Sequence, residues 1–251
     1  MEPIKITSAL NEQIKRVVKL HSVQERKRSK RFIVEGTRTI TTALTRFKLD
    51  SLFCTEKTLA EAKDLAPSAS IILIADSLMK KISTTITPSG LLAVLKIPDP
   101  TAPEFLQRGL VLAQVHDPGN MGTLIRTAAA CNIKSVVVIE GADPWSPKVL
   151  QASAGTHAYV DLFQWDWQQL IAHKRNLLLY ALVVNKGQPP TSIDQQQALL
   201  VIGSEAHGLP DSWVHECDEK ITLPMPGAAE SLNAAIAGSI VMYNVFVGPS
   251  L

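Results

Sequence analysis

Three polar segments in the second half of the chain hold the residues whose types and spacing suit chemistry. The first, His116-Asp117-Pro118-Gly119-Asn120-Met121-Gly122-Thr123-Leu124-Ile125-Arg126, follows an apolar run and enters a helical one. Gly119 and Gly122 allow a tight turn and close approach of a ligand, Asn120 is the expected helix N-cap, and Arg126 lies on the helix so begun. The second, Ile202-Gly203-Ser204-Glu205-Ala206-His207-Gly208-Leu209-Pro210, sets the Glu205 carboxylate between two glycines. The third runs from Leu223 through Pro224, Met225, Pro226 and Gly227 to Ser231, Leu232 and Asn233. Its prolines stiffen a loop that opens into a helix of small residues. Asn233 is expected one turn inside that apolar helix, where an unpaired amide would cost about 1–3 kcal/mol, so it needs a partner.

Each segment alone has an ordinary reading. Glu205 could be a helix-start carboxylate favoured by the macrodipole, and Asn120 a simple cap. A Ser204 nucleophile with His207 as base fits poorly, because the pattern is not G-x-S-x-G and the two lie three residues apart in a tight loop. No G-x-G-x-x-G follows a strand, which disfavours a nicotinamide enzyme. Cys54, Cys131 and Cys217 form no CxxC, so neither a metal site nor a disulfide framework is expected. His157 and His207 carry no argued role, and Trp145, Trp165 and Trp167 read as fillers of core or surface.

The elements that must position these segments follow from hydropathy. Apolar runs at Leu110–Val115, Ser135–Ile139, Leu177–Val184, Leu199–Ile202 and Ile221–Leu223 read as strands. Helical stretches alternate with them, over Met121–Cys131, over Pro147–Ala154 and from about Ser231 onward. Continuous apolar strands separated by helices imply an α/β domain with a mostly parallel sheet covered on both faces, and ligands in such sheets bind at the carboxyl ends of the strands. Ile97-Pro98-Asp99-Pro100-Thr101-Ala102-Pro103 breaks any regular element and marks a boundary. The expected division is a small α/β domain over 1–97, a proline-rich linker over 98–104 and a second domain over 105–251. In the first, Asn11–Leu20 reads as an amphipathic helix, another follows Thr37, Arg31–Gly36 reads as a short strand ending at a glycine turn, and Ser51–Cys54, Ile71–Ala75 and Leu91–Leu95 read as further strands.

In order and strand-end placement, N-x-G-x-x-x-R (Asn120–Arg126), G-S-E-x-x-G (Gly203–Gly208) and L-P-M-x-G-x-x-x-S-L-N (Leu223–Asn233) together resemble the three motifs of the SpoU (TrmH-like) RNA ribose 2′-O-methyltransferases of the SPOUT superfamily. The first domain, through Asn11–Leu20 and Arg31-Phe32-Ile33-Val34-Glu35-Gly36, resembles the L30e-like substrate-binding domain often found before it. The resemblance spans nearly the whole chain. It implies a deep trefoil knot where periodicity alone gives an ordinary doubly wound sheet. It implies S-adenosylmethionine held at Gly203, Leu223 and Leu232, with Val201, Ile202, Met225 and Ser231 nearby. It implies a catalytic set of Arg126, Asn120, Glu205, Ser231 and Asn233, in which Asn120 and Glu205 orient Arg126 and the ribose. The resemblance offers Arg126 as the base, but a guanidinium is almost never deprotonated, so binding the adjacent phosphate or stabilising the developing alkoxide is the favoured role and service as the base the alternative. A homodimer through the last helix, so that a second subunit completes the site, is a further implication. A transfer-RNA enzyme and a catalytically silent RNA-binding protein remain alternatives.

The charge distribution agrees with an RNA partner. A net charge of +2 over 251 residues divides at the linker into +8 for residues 1–97 and −6 for the remainder. Arg26, Lys27, Arg28, Lys30 and Arg31 are the expected phosphate contacts. Residues 1–97 contain no Tyr or Trp, which argues against a base-stacking platform and for recognition of backbone and shape in a folded RNA. The resemblance implies ribosomal RNA before transfer RNA, because a separate N-terminal domain is more typical of the family's ribosomal-RNA enzymes. With no apolar signal core after Met1 and no membrane-spanning run, the cytoplasm is the expected compartment.

Overall fold

The computed structural model describes residues 2–228 and 231–248, so Ala229 and Glu230 of the third motif lie outside it. The chain forms two compact units, one of Met1–Asp99 with Trp145–Ala158, the other of Pro100–Pro144 with Tyr159–Leu251.

The first unit comprises β1 (Ile4–Ile6), α1 (Glu12–Lys19), α2 (Val23–Ser29), β2 (Arg31–Glu35), α3 (Thr37–Leu44), β3 (Leu49–Cys54), α4 (Leu59–Leu65), β4 (Ile71–Ile74), α5 (Asp76–Ile82) and β5 (Leu91–Lys96). Its sheet runs β1-β4-β3-β5-β2; β1, β4 and β3 are parallel, and β5 is antiparallel to both its neighbours. Asn11 caps α1 by accepting from the Gln13 amide, and the helix buries Ile14 and Val17 against Phe53, Ile72 and Met79. The short helix α2 occupies the basic run that hydropathy alone had left without an element.

The sequence placed residues 145–158 in the second domain, but they pack with the first. Trp145 sits 5.0 Å from the Phe32 ring and 5.6 Å from that of Phe47, and the helix α7 (Pro147–Ala152) packs beside β2. Buried aromatic area outweighs chain proximity here. His157, also in this segment, is buried and hydrogen-bonds the Ser153 hydroxyl at 2.9 Å, a structural role.

The second unit carries β6 (Gly109–Ala113), α6 (Pro118–Ala130), β7 (Ser135–Ile139), β8 (Asp161–Gln164), α8 (Trp167–His173), β9 (Leu178–Leu182), β10 (Ala198–Ile202), α9 (Asp211–Glu216), β11 (Glu219–Ile221) and α10 (Ala234–Phe246). The six strands are parallel, in the order β11-β9-β10-β6-β7-β8. The central strands β6, β7 and β10 are buried at every position and need nearly continuous apolar runs, whereas the edge strands β8 and β11 carry Asp161, Gln164, Glu219 and Lys220. Below the sheet Val111, Val137, Phe163, Leu179 and Val201 form a core with Trp167, whose ring stacks on Trp213 at 4.7 Å. On the other face α10 lies against α6. A Cβ on Gly238 would come within 2.3 Å of the Ile202 side chain and 2.7 Å of that of Leu124, so only glycine permits this approach. Among the described residues no helix is long and apolar enough to cross a membrane.

Candidate functional site

All three polar segments emerge at the carboxyl ends of parallel strands: the first after β6, the second after β10, the third after β11. The central position of β10, between β6 and β9, brings the first two together although some ninety residues separate them.

A chain of side chains links the three segments. Glu205 accepts from Asn120 Nδ2 at 3.0 Å and from the Asp117 amide at 3.3 Å through Oε1, and from the His116 amide at 3.4 Å through Oε2. Asn120 Oδ1 accepts from Asn233 Nδ2 at 3.1 Å, and Asn233 Oδ1 accepts from the amides of Ala235 and Ile236 at 2.9 and 3.2 Å. The polarity of this relay follows from its ends. A carboxylate only accepts, so Asn120 must donate its amide to Glu205 and offer its carbonyl onward. The free amides of the α10 N-terminus only donate, so Asn233 turns its oxygen to them and its nitrogen to Asn120.

Two local expectations are corrected by this geometry. Asn120 is not the N-cap of α6: Asp117 is, accepting from the Asn120 amide at 2.8 Å, with Pro118 at the first helical position, where its missing N–H costs nothing. Asn233 is not inside α10 but caps it. Both shifts arise because side-chain acceptors compete for the first amides of a helix, a contest that spacing alone does not resolve.

Burial pushes the Glu205 carboxyl up, but the hydrogen bonds from Asn120, its own backbone, Asp117 and His116 together hold it below the ordinary value of 4.5. A carboxyl lowered on folding stabilises the fold fully above its unfolded pKa and loses that contribution as pH falls through the folded one. The stability advantage of the wild type over Glu205→Gln is therefore expected to shrink as pH drops below 4.5. Thermal melts of both proteins across that range check it; a difference that grew on acidification would contradict the assignment.

Beside the relay lies a cleft of about 360 Å³. Gly203, Leu223, Leu232, Ile202, Met225 and Ser231 line it, together with Glu205. Val201 does not: strand alternation turns its side chain into the core on the opposite face. The sequence reading missed Leu182, Val183 and Val184, which form another wall. Leu182 ends β9 and Val183 and Val184 follow it, so the strand-end rule that selected the other loops would have found them. Among the described residues, the backbone groups of Leu223 to Ala228 make no hydrogen bond to other backbone, leaving amides and carbonyls available to a ligand. Apolar walls and unspent backbone groups fit a flat heteroaromatic ring with a polar tail.

Arg126 is exposed on α6 and forms no hydrogen bond or ion pair with a described residue; Asn120 and Glu205 do not hold it. In the first unit Lys27, Arg28 and Lys30 are exposed and Arg31 is half-buried. Arg26 differs. It is buried at 3% exposure and its Nη1 donates to the Leu20 and His21 carbonyls at 2.7 and 2.9 Å, so it ties α2 to α1 and does not present to phosphate.

Comparison with known proteins divides the chain at the proline-rich segment. The model of the SpoU rRNA methylase family matches residues 107–243, and that of an MRM3-like substrate-binding domain matches 11–93. An uncharacterized tRNA/rRNA methyltransferase of Synechocystis is 31% identical, covering 95% of this chain and 92% of its own. RlmP of Bacillus subtilis, a 23S rRNA guanosine 2′-O-methyltransferase, is 27% identical over 96% of this chain and 98% of its own. A crystal structure of an AdoMet-bound rRNA methyltransferase from Sinorhizobium meliloti shares the fold at a TM-score of 0.85 and 23% identity, covering 96% of each chain.

Proposed function

The chain belongs to the SpoU rRNA methylase family, and on that premise we propose that it transfers a methyl group from S-adenosylmethionine to a ribose 2′-hydroxyl in ribosomal RNA. The observation that carries this reading is the Glu205–Asn120–Asn233 relay at the mouth of the cleft that Gly203, Leu223 and Leu232 line. S-adenosylmethionine, when bound, supplies an electrophilic methyl on a sulfonium. The chain's own residues must then place a hydroxyl oxygen in line with it and manage the proton. The walls of the cleft, with Gly203, Leu223, Leu232, Ile202 and Met225, would hold the cofactor. The relay fixes Asn120 and Asn233, and with Ser231 at the cleft edge they offer polar groups to the ribose. Arg126 binds the neighbouring phosphate or the developing alkoxide.

The substrate preference rests on relatives such as RlmP, whose name specifies 23S rRNA. The first unit is the RNA-holding domain and the second the methyl-transfer domain. Lys27, Arg28, Lys30 and Arg31 make phosphate contacts there, consistent with the charge of +8 over residues 1–97. The threading of a trefoil knot through the second and third motif loops, and a cytoplasmic location, belong to the same reading. So does a homodimer. Ile236, Ile240 and Tyr243, at 53%, 39% and 50% exposure, form an apolar stripe along α10 that a second copy would cover while completing the site.

Mapping 2′-O-methylated riboses in ribosomal and transfer RNA from cells with and without the protein tests the proposal. One ribosomal site is expected to disappear with the gene. Loss of a transfer-RNA site instead would reassign the substrate, and an unchanged map would refute the activity.

A further inference from the structure

The first unit has a cleft of its own, of about 540 Å³, at the sheet edge where β1, β2, β3 and β4 begin and β5 ends. Its ionisable lining consists of Arg16, Arg28, Arg31, Glu25 and Asp50. Two of the guanidinium groups are braced by carboxylates. Arg28 donates to both oxygens of Glu25 at 2.8–3.0 Å, and Arg31 contacts Asp50 at 2.8 Å while donating to the Ser29 carbonyl at 2.9 Å. A guanidinium has five N–H donors, so both keep spare donors in a plane that the carboxylates hold still. Arg16 is exposed and has no hydrogen bond or ion pair with a described residue. The nearby carboxylate of Glu12 is engaged by Lys15 at 2.8 Å.

Three cations against two anions leave a single positive charge, carried by Arg16, which matches one phosphodiester. The floor is apolar, formed by Val17, Leu20, Phe53 and Val94, all nearly fully buried, and Ser51 and Ser70 add hydroxyls to the lining. A cavity with an apolar floor, hydroxyls and one uncompensated guanidinium suits a base, a ribose and a phosphate respectively.

We propose that this cleft seats one unpaired nucleotide of the bound RNA, its phosphate on Arg16 with Arg28 and Arg31 and its base on the floor. The proposal rests on the RNA-binding reading above and deepens it. It turns a generally basic domain into one with a defined nucleotide subsite, and it adds Arg16, which lies outside the basic run at 26–31.

The test uses the full chain with labelled Ile, Leu and Val methyl groups, titrated with single-stranded hexauridylate and, separately, with uridine 5′-monophosphate. Hexauridylate is expected to shift the methyl resonances of Val17, Leu20 and Val94. Arg16→Ala, which removes an exposed side chain and leaves the core intact, is expected to weaken its binding on the order of tenfold. The same substitution should lower the slope of log affinity against log salt by about 0.7, the share of one phosphate contact on a single strand. Floor methyls that stay still under hexauridylate, or an Arg16→Ala protein with wild-type affinity and slope, would overturn the proposal. Shifts with the mononucleotide but not the oligonucleotide would overturn it too, assigning the cleft to a free nucleotide. Transfer of tritiated methyl from S-adenosylmethionine to a ribosomal RNA transcript, measured on the same preparation, reads the second unit separately. It persists if only the cleft assignment fails and is absent if the methyltransferase reading fails.

Discussion

Arg126→Ala is expected to retain wild-type thermal stability and affinity for S-adenosylmethionine while losing methyl transfer by about 10²–10³-fold. The side chain is exposed and makes no hydrogen bond or ion pair with a described residue, so truncation opens no cavity and strands no buried partner. It does not line the cleft assigned to the cofactor, so binding there has no reason to change. What it offers is a permanent positive charge and a planar donor fork, useful where negative charge accumulates on the reacting oxygen or already sits on a phosphate. Arg126→Lys keeps the charge without the fork and is expected to recover only part of the rate. Calorimetry for the cofactor and single-turnover methyl transfer on ribosomal RNA check both variants. Undiminished turnover by Arg126→Ala would remove this residue from the mechanism.

The second large effect is expected in Gly203→Ala, with cofactor affinity falling more than about a hundredfold and stability by about 1–3 kcal/mol. A Cβ at this position would lie 2.4 Å from the Gly208 carbonyl carbon and 2.5 Å from the Leu209 nitrogen. Both are backbone atoms, so no rotamer change relieves the clash. The loop from 203 to 208 is pinched shut by reciprocal hydrogen bonds between the Ser204 and Gly208 backbones, each 2.9 Å. Opening that pinch moves Glu205 as well as the cleft wall, and so disturbs Asn120 and Asn233 together. Titration calorimetry and thermal denaturation measure the two parts. A Gly203→Ala protein that bound cofactor like the wild type would show that the cleft beside Gly203 is not the cofactor site.

Much of this organisation is legible in the chain. The continuous apolar runs of the second unit announced a parallel sheet, because strands covered on both faces have no polar positions to spare. The motif glycines and the polar residues between them marked the three loops, and the strand-end rule placed them on one edge. The charge asymmetry about the proline linker was visible by counting. Arg26 shows the limit of such counting: it stands in a run of five basic residues, yet it is buried and spent on two backbone carbonyls. Val201 shows another, since one step along a strand reverses a side chain from cleft to core.

The available residue types, the alternation of elements and the order of the motifs can be read along the chain, because local propensity and hydropathy act over a few residues. That Glu205 meets Asn120 across eighty-five positions, and Asn120 meets Asn233 across 113, is set by the folded arrangement of the sheet and helices. The tertiary structure also decided that residues 145–158 serve the first unit and that Arg16 shares a cleft with Arg28 and Arg31. The reason is physical. Hydrogen-bond satisfaction and close packing are set by whatever the folded backbone brings within about 3 Å, and sheet order and helix crossings fix those neighbours in ways that sequence separation does not encode.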